Sequence, residues 1–281
     1  MRKTFADQTQ HRRQAHGGLA DTIGFAFGFP MSGSTPPSTD VSVKSFAAAA
    51  NAQMIPVTGS LSYCSVTPLE DVDLQRLIHD PALATPPVIS SILPRLHIVL
   101  APYLVKPHGK AAGGPVLAFK PPVESRKVFS AHVQEDGEDF IFLAAKDEDV
   151  ADYHDALYYE LATLVVDRAE DSTGQFYALL RDELRNEVRG EVDDKSWKLK
   201  DQLLSRQADP ARNTKAFRAY ARDAMIDTLT LYLHGLCCDL DVEAGPRQLP
   251  SRFLRRRLEL LQGLFPPPSG IAVFPEDLPR G

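Results

Sequence analysis

The feature that most constrains the fold of this chain is an apolar segment of helical character between residues 214 and 238. Its large apolar side chains would lie on every side of a helix: Phe217, Tyr220, Met225, Leu229, Tyr232, Leu233 and Leu236. A helix that is hydrophobic all round has to be buried among other elements. The segment therefore predicts a central helix around which the rest of the chain is arranged.

Four further segments in the second half of the chain have the spacing of amphipathic helices. Apolar residues recur three and four positions apart within residues 147–168, 172–190, 193–210 and 251–264. Together with the central segment, they predict a bundle of about five helices over residues 147–265.

The preceding part of the chain has the pattern of strands. Short apolar runs bounded by proline, glycine or charged turns occupy Ser60–Val66, Leu96–Val105, Val116–Lys120, Lys127–Gln134 and Asp139–Ala144. The last two runs flank Asp136 and Gly137, which is a hairpin signal and indicates antiparallel pairing. We expect an α+β fold in which an irregular antiparallel sheet with short helices packs on the C-terminal helical bundle.

Composition indicates where the folded domain begins and ends. Residues 1–55 are polar and include a Ser/Thr/Pro tract, so they predict a disordered leader. Residues 56–265 are expected to form a single α+β domain, sheet-rich over 56–146 and helical over 147–265. Residues 266–281 read as a proline-rich tail.

Charge and cysteine content narrow the classes of protein. The net charge of −6 disfavours a generic nucleic-acid surface, which needs a positive field. No apolar run approaches the ~20 residues that span a bilayer, so no membrane partner is expected. Only three cysteines occur, too few for a disulfide framework, which favours the reducing cytoplasm.

The sharpest cluster of potential metal ligands follows the central segment. It comprises His234, Cys237, Cys238 and Asp239, whose imidazole, thiols and carboxylate can bind a transition metal. Adjacent cysteines point in different directions on a helix, so only one of them can readily join His234. The alternative is that the cysteines pack as small apolar residues while His234 interacts with the helix dipole. This second interpretation is favoured, and no cofactor is expected.

A second cluster is acidic. Glu183, Glu187 and Glu191 recur every four residues and would share one face of an unbroken helix, with arginines interleaved. The simplest interpretation is a solvated face with surface ion pairs. The same interpretation applies to the arginine run at Arg252, Arg255, Arg256 and Arg257, and His154 is expected at the surface.

One segment resembles the zincin metallopeptidases, whose first helix carries the motif HExxH. Here a hairpin is followed by a helix containing Tyr159-Glu160-Leu161-Ala162-Thr163 and then by an acidic helix. The resemblance assigns Tyr159 and Thr163 to the two histidine positions, so both zinc ligands are absent. Glu160 matches the general base, which implies a zincin-like scaffold without the metal.

Three functions follow from these patterns. The leading expectation is a non-enzymatic interaction or scaffold protein with a protein partner, because each polar cluster has a structural interpretation. The first alternative is a metal-dependent hydrolase with catalytic carboxylates among Glu160, Glu187 and Glu191. The second is a small-molecule-binding regulatory module with an apolar pocket near Tyr158 and Tyr232.

Overall fold

Strands occupy the first half of the chain and helices the second, so the expected α+β class is confirmed. The computed structural model describes residues 41–50, 53–107, 114–205, 209, 211–238 and 249–274. The strands are β1 Val41–Ser42, β2 Ile55–Pro56, β3 Leu61–Ser65, β4 Leu96–Ala101, β5 Tyr103–Val105, β6 Val116–Ala118, β7 Lys127–Val128, β8 Ser130–Glu135 and β9 Glu138–Ala144.

Short helices interrupt the strands, and five longer helices follow them. The short ones are α1 Val43–Ala50, α2 Asp71–Leu74, a π-helical turn Gln75–His79, α3 Asp80–Ala84, α4 Pro87–Ile92 and a 3-10 turn Glu124–Arg126. The longer ones are α5 Val150–Arg168, α6 Glu170–Arg185, α7 Asp194–Leu204, α8 Lys215–Cys237 and α9 Ser251–Leu264. Among the described residues, these five match the predicted bundle.

The main sheet has the strand order β2-β3-β4-β9-β8, and its pairing corrects the antiparallel prediction. Strand β4 runs parallel to both β3 and β9, whereas the β2–β3 and β8–β9 pairs are antiparallel. A hairpin signal governs only strands joined by a short turn, and helices α2–α4 separate β3 from β4. The central strands are buried on both faces, as is typical of parallel pairing.

The hairpin itself is confirmed. Asp136 and Gly137 both have positive φ, 50° and 78°, and Glu135 pairs with Glu138 across the turn. Two consecutive residues with positive φ match the right-handed twist of the flanking strands.

The predicted strand over residues 96–105 divides between two sheets. Main-sheet strand β4 ends at Ala101, and β5 begins at Tyr103 in a smaller antiparallel sheet of order β1-β6-β5-β7. Pro102 lies between the two strands. A proline has no backbone N–H to donate to a neighbouring strand, so the pairing in one sheet is interrupted at this residue.

The disordered-leader prediction does not hold for Val41–Ala50, whereas residues 1–40 lie outside the described ranges. Strand β1 pairs with β6, and α1 buries Val43 and Ala47 against the main sheet. Phe46 packs edge-on against Phe142 of β9, with ring centroids 5.9 Å apart. Because Val43 and Ala47 are small, α1 can lie close to the sheet.

Helix α8 lies at the centre of the helical half, as its composition predicted. Phe217, Tyr220, Met225 and Tyr232 are all fully buried. The Thr214 side chain caps the helix by accepting the backbone N–H of Phe217. No helix among the described residues has both the length and the apolar character needed to cross a membrane.

Candidate metal centre

Three potential metal ligands converge where the start of α5 meets the end of α8. His154 lies in the second turn of α5, and His234 and Cys238 lie four residues apart at the C-terminal end of α8. One ligand atom from each residue lies within 4.8 Å of the other two. The expectation that His154 is a surface residue is wrong, since it is only 4% exposed.

The two helices run antiparallel, which brings these ends together. At the opposite end of the pair, the Arg222 guanidinium of α8 donates to both carboxylate oxygens of Asp167 of α5, at 2.8 and 2.9 Å. Helix α5 therefore presents its first turns to the last turns of α8.

The orientation of His154 depends on a proline. The backbone N–H of Asp80 donates to the carbonyl of Gln75, which is the i to i−5 pattern of a π-helix. The next donor in that pattern, to the carbonyl of Arg76, would be residue 81, but Pro81 has no N–H. The Arg76 carbonyl instead accepts a hydrogen bond from Nε2 of His154, at 2.8 Å.

The next carbonyl of the π-helical turn, that of Leu77, also binds a side chain of α5. That carbonyl accepts the hydroxyl of Tyr153 at 2.9 Å. Tyr153 and His154 therefore attach the start of α5 to the π-helical turn.

These contacts determine which nitrogen of His154 is available. A carbonyl oxygen only accepts, so Nε2 carries the proton and the lone pair is on Nδ1. Nδ1 faces Sγ of Cys238 at 3.0 Å. Burial lowers the pKa of His154, so the imidazole is neutral at neutral pH. Metal-binding histidines are commonly held in this way, by a carbonyl on the other ring nitrogen.

His234 supplies a nitrogen that lacks a partner. Its Nε2 is buried and has no hydrogen-bond partner among the described residues, and the residue is 8% exposed. Burial, followed by the nearby His154, lowers the pKa of His234 to about 4. A buried polar atom left unpaired costs about 1–3 kcal/mol. A bound cation would satisfy such an atom.

The two adjacent thiols have different electrostatic environments. The neighbouring thiol of Cys238 lowers the pKa of Cys237 despite its burial. The same contact with Cys237, together with burial, raises the pKa of Cys238. Cys237 is therefore the more acidic thiol, and it lies beside the three-residue cluster.

The donor set fits zinc. Zn–N and Zn–S bonds of ~2.0 and ~2.3 Å at tetrahedral angles imply donor atoms roughly 3.5 Å apart. The three donors lie within 4.8 Å of one another, so shifts of about one ångström would bring them to that geometry. Asp239, the remaining ligand predicted from the sequence, lies outside the described residues.

The predicted acidic helix face does not exist. Helix α6 ends at Arg185, and Glu187 is exposed with a left-handed φ of 53°. Glu183 and Glu191 are instead 1% and 2% exposed, so the prediction of a solvated face is wrong. The chain turns back after α6, which directs Glu191 into the interior.

Both buried carboxylates bind Arg257, which is itself fully buried although its run of arginines predicted a solvated face. Its guanidinium donates to Glu183 at 3.0 and 2.5 Å and to Glu191 at 2.6 and 2.9 Å. Lys200 and Tyr220 also donate to Glu191, at 3.0 and 2.6 Å. The two carboxylates balance the charges of the two cations. Because its members come from different elements, the network links α6, α7, α8 and α9.

Glu160 lies in a third environment. Its carboxylate accepts the hydroxyl of Ser130 of β8 at 2.7 Å. Glu160 and Glu191 thus bind different partners, Ser130 and Arg257, and the structure does not bring either of them into the cluster with His234.

The cavity near α5 is too small for an organic ligand. It has a volume of about 40 Å³ and is lined by side chains that include Leu61, Ile89 and Leu157. Ligand pockets usually measure ~300–1,000 Å³. This cavity has room for water and gives no support to a small-molecule site.

Sequence reasoning missed His154, although a signal was present. His154 occupies the same helical stripe as Leu157, Tyr158 and Leu161, and that stripe is buried. A histidine in a buried stripe needs partners, and those partners come from distant parts of the chain.

No family model, no curated protein and no solved structure matches this chain.

Proposed function

We propose that this chain binds one zinc ion through His154, His234 and Cys238, and that the ion joins α5 to the end of α8. The observation that carries the proposal is the convergence of three ligand atoms within 4.8 Å, one from a histidine with a buried, unpartnered Nε2. Imidazole and thiolate donors are typical zinc ligands.

The surroundings of the site favour a structural role for the ion. Both histidines are buried, which limits the access of solvent to a bound ion. A zincin mechanism requires a glutamate beside the metal-bound water, whereas Glu160 binds Ser130. An ion held by His154, His234 and Cys238 would link α5 to the end of α8 and so stabilise the fold.

Within this proposal, the protein acts in the cytoplasm as an interaction or scaffold protein. Val72 and Leu83, in α2 and α3, each expose 68% of their surface, which supports a protein partner. Three free cysteines support a reducing compartment, and the net charge of −6 supports the absence of a nucleic-acid partner.

The test is the metal content of the purified full chain, measured by elemental analysis, together with zinc affinity from competition with a chelator. We expect one zinc per chain. His154→Gln, His234→Gln and Cys238→Ser should each weaken binding by at least about 100-fold, because each removes a ligand. His132→Gln is the matched control, since His132 binds Asp139 on the main sheet.

Cobalt substitution provides an independent readout. A cobalt–thiolate charge-transfer band should appear in the wild-type protein, disappear in Cys238→Ser and persist in Cys64→Ser. A chain that binds no zinc, or whose affinity is unchanged in Cys238→Ser, would show the proposal to be wrong.

A further inference from the structure

Three polar side chains form a hydrogen-bonded row on the main sheet, far in sequence from the metal ligands. Ser62 Oγ lies 2.5 Å from Nδ1 of His97, and Nε2 of His97 lies 2.9 Å from Oε2 of Glu138. They belong to the neighbouring strands β3, β4 and β9. Ser62 and His97 are direct register partners, so their side chains leave the sheet on the same face.

The hydrogen bonds assign a role to each atom. The carboxylate of Glu138 only accepts, so Nε2 of His97 carries the ring proton. In the neutral imidazole, Nδ1 then has the lone pair, and the hydroxyl of Ser62 donates to it. This arrangement activates a serine nucleophile: the hydroxyl is hydrogen-bonded to a neutral imidazole, and a carboxylate orients that imidazole.

The imidazole is held in position from two directions. Its ring stacks on Phe140 with centroids 4.6 Å apart and an interplanar angle of 30°. The guanidinium of Arg95 binds the other carboxylate oxygen of Glu138 at 3.3 Å. His97 is thus fixed before any substrate arrives, which is a requirement for efficient proton transfer.

The row lies at the accessible end of this sheet face. Further along the same strands, Cys64 and Val99 are buried in the cluster that includes α1. Ser62 is half-buried, and the side chains of His97 and Glu138 are 13% and 16% exposed. The row is therefore partly accessible to a small molecule.

We propose that Ser62 is a nucleophile toward small carboxylic esters, with His97 as general base and Glu138 as the positioning residue. Ser62 Oγ would bond to the ester carbonyl carbon while its proton passes to Nδ1 of His97. The bond from that carbon to the alcohol oxygen breaks, and the alcohol leaves with the proton. Water then attacks the acyl carbon and gives a proton to His97; the bond from that carbon to Ser62 Oγ breaks, His97 returns the proton to Oγ, and the carboxylic acid is released.

The first test uses the full chain and a fluorophosphonate probe, which reacts covalently with activated serines. Peptide mass spectrometry should find the probe on Ser62. Labelling should disappear in Ser62→Ala and fall by about 10²–10⁴-fold in His97→Gln, because general-base catalysis contributes that factor. Ser65→Ala, on the same strand, is the matched control, since its hydroxyl donates to the Thr67 carbonyl.

The second test measures hydrolysis of p-nitrophenyl acetate against pH. Glu138→Gln should lower the rate and change the shape of the pH profile relative to wild type, which a merely structural role would not do. Both assays should be unaffected by a zinc chelator, so failure of the zinc proposal would not alter them. Wild-type protein whose Ser62 is labelled no more than its other serines would overturn the inference, whatever the stability of the variants.

Discussion

Nε2 of His154 donates to the carbonyl oxygen of Arg76, 2.8 Å away, and that carbonyl is available because residue 81 is a proline. The proline removes one backbone donor from the helix, and a histidine 78 residues after Arg76 replaces it. The replacement fixes the tautomer of His154 and directs its lone pair at Cys238. A local feature of the backbone thus prepares a ligand of the candidate metal centre.

Pro81→Ala should weaken zinc binding by roughly 10-fold, the lower end of the effect of removing a second partner of a metal-binding histidine. Alanine restores a backbone N–H that can donate to the carbonyl of Arg76 or Leu77 within the helix. When it donates to Arg76, it competes with Nε2 of His154 for that carbonyl. Chelator competition measures the change. Pro87→Ala, at the start of α4, is the control, and equal affinities in wild type and Pro81→Ala would contradict the role assigned to Pro81.

Zinc binding should release about one proton per ion near neutral pH. Both imidazoles have lowered pKa values and are already neutral, whereas the thiol of Cys238 has a raised pKa and must lose its proton to bind. Calorimetry in buffers of different ionisation enthalpy gives the number directly. Release of two protons would show that Cys237 also binds as a thiolate, and release of none would exclude Cys238 as a ligand.

Without metal, His234 should make the protein less stable as the pH falls from 6.5 to 4. The pKa of His234 is lowered to about 4 in the folded chain, so in this window the unfolded chain takes up a proton that the folded chain does not. The stabilisation is complete above pH 6.5, and its loss should reach about 2–3 kcal/mol. Urea unfolding of wild type and His234→Gln at several pH values measures it, and parallel pH profiles would contradict the assignment.

Asp227 should have the opposite pH dependence. Burial, followed by the charges of Asp193 and Asp223, raises its pKa to about 7. The folded chain therefore retains a proton that the unfolded chain has lost, and stability falls as the pH rises from 3.8 to 7. Asp227→Asn should be more stable than wild type at pH 8 by about 1–2 kcal/mol, a value reduced for partial solvent exposure. A gain of equal size at pH 3.5 would rule out titration as its cause.

Arg257→Met should destabilise the fold by about 3–5 kcal/mol, because it leaves Glu183 and Glu191 buried without their main partner. Burial raises the pKa of Glu191, but the charges of Arg257 and Lys200 outweigh it and lower that pKa to about 2. Arg256→Met is the matched control: Arg256 pairs with Asp182 at the surface, where such pairs contribute ~0–1 kcal/mol. Similar unfolding midpoints for the two variants would be incompatible with a structural network at Arg257.

Local patterns were sufficient for most of the elements. The caps Asp149 and Thr214, the hairpin at Asp136 and Gly137, and the helix Ser251–Leu264 follow from side chains that act on their own or adjacent backbone. The buried character of α8 follows equally directly, because a segment that is apolar on every side has no stable exposed orientation. These features depend on neighbours in sequence.

Tertiary packing alone determines which distant residues contact each other. The spacing of Glu183 and Glu191 indicated a solvated helix face, yet the turn after Arg185 and a helix 66 residues further on bury both carboxylates around Arg257. In the same way, His154 meets His234 only because α5 and α8 pack antiparallel, and Ser62 meets His97 only because β3 and β4 align in parallel. A local pattern determines which face of an element is apolar, but a buried polar group takes its partner from whichever element packs against that face.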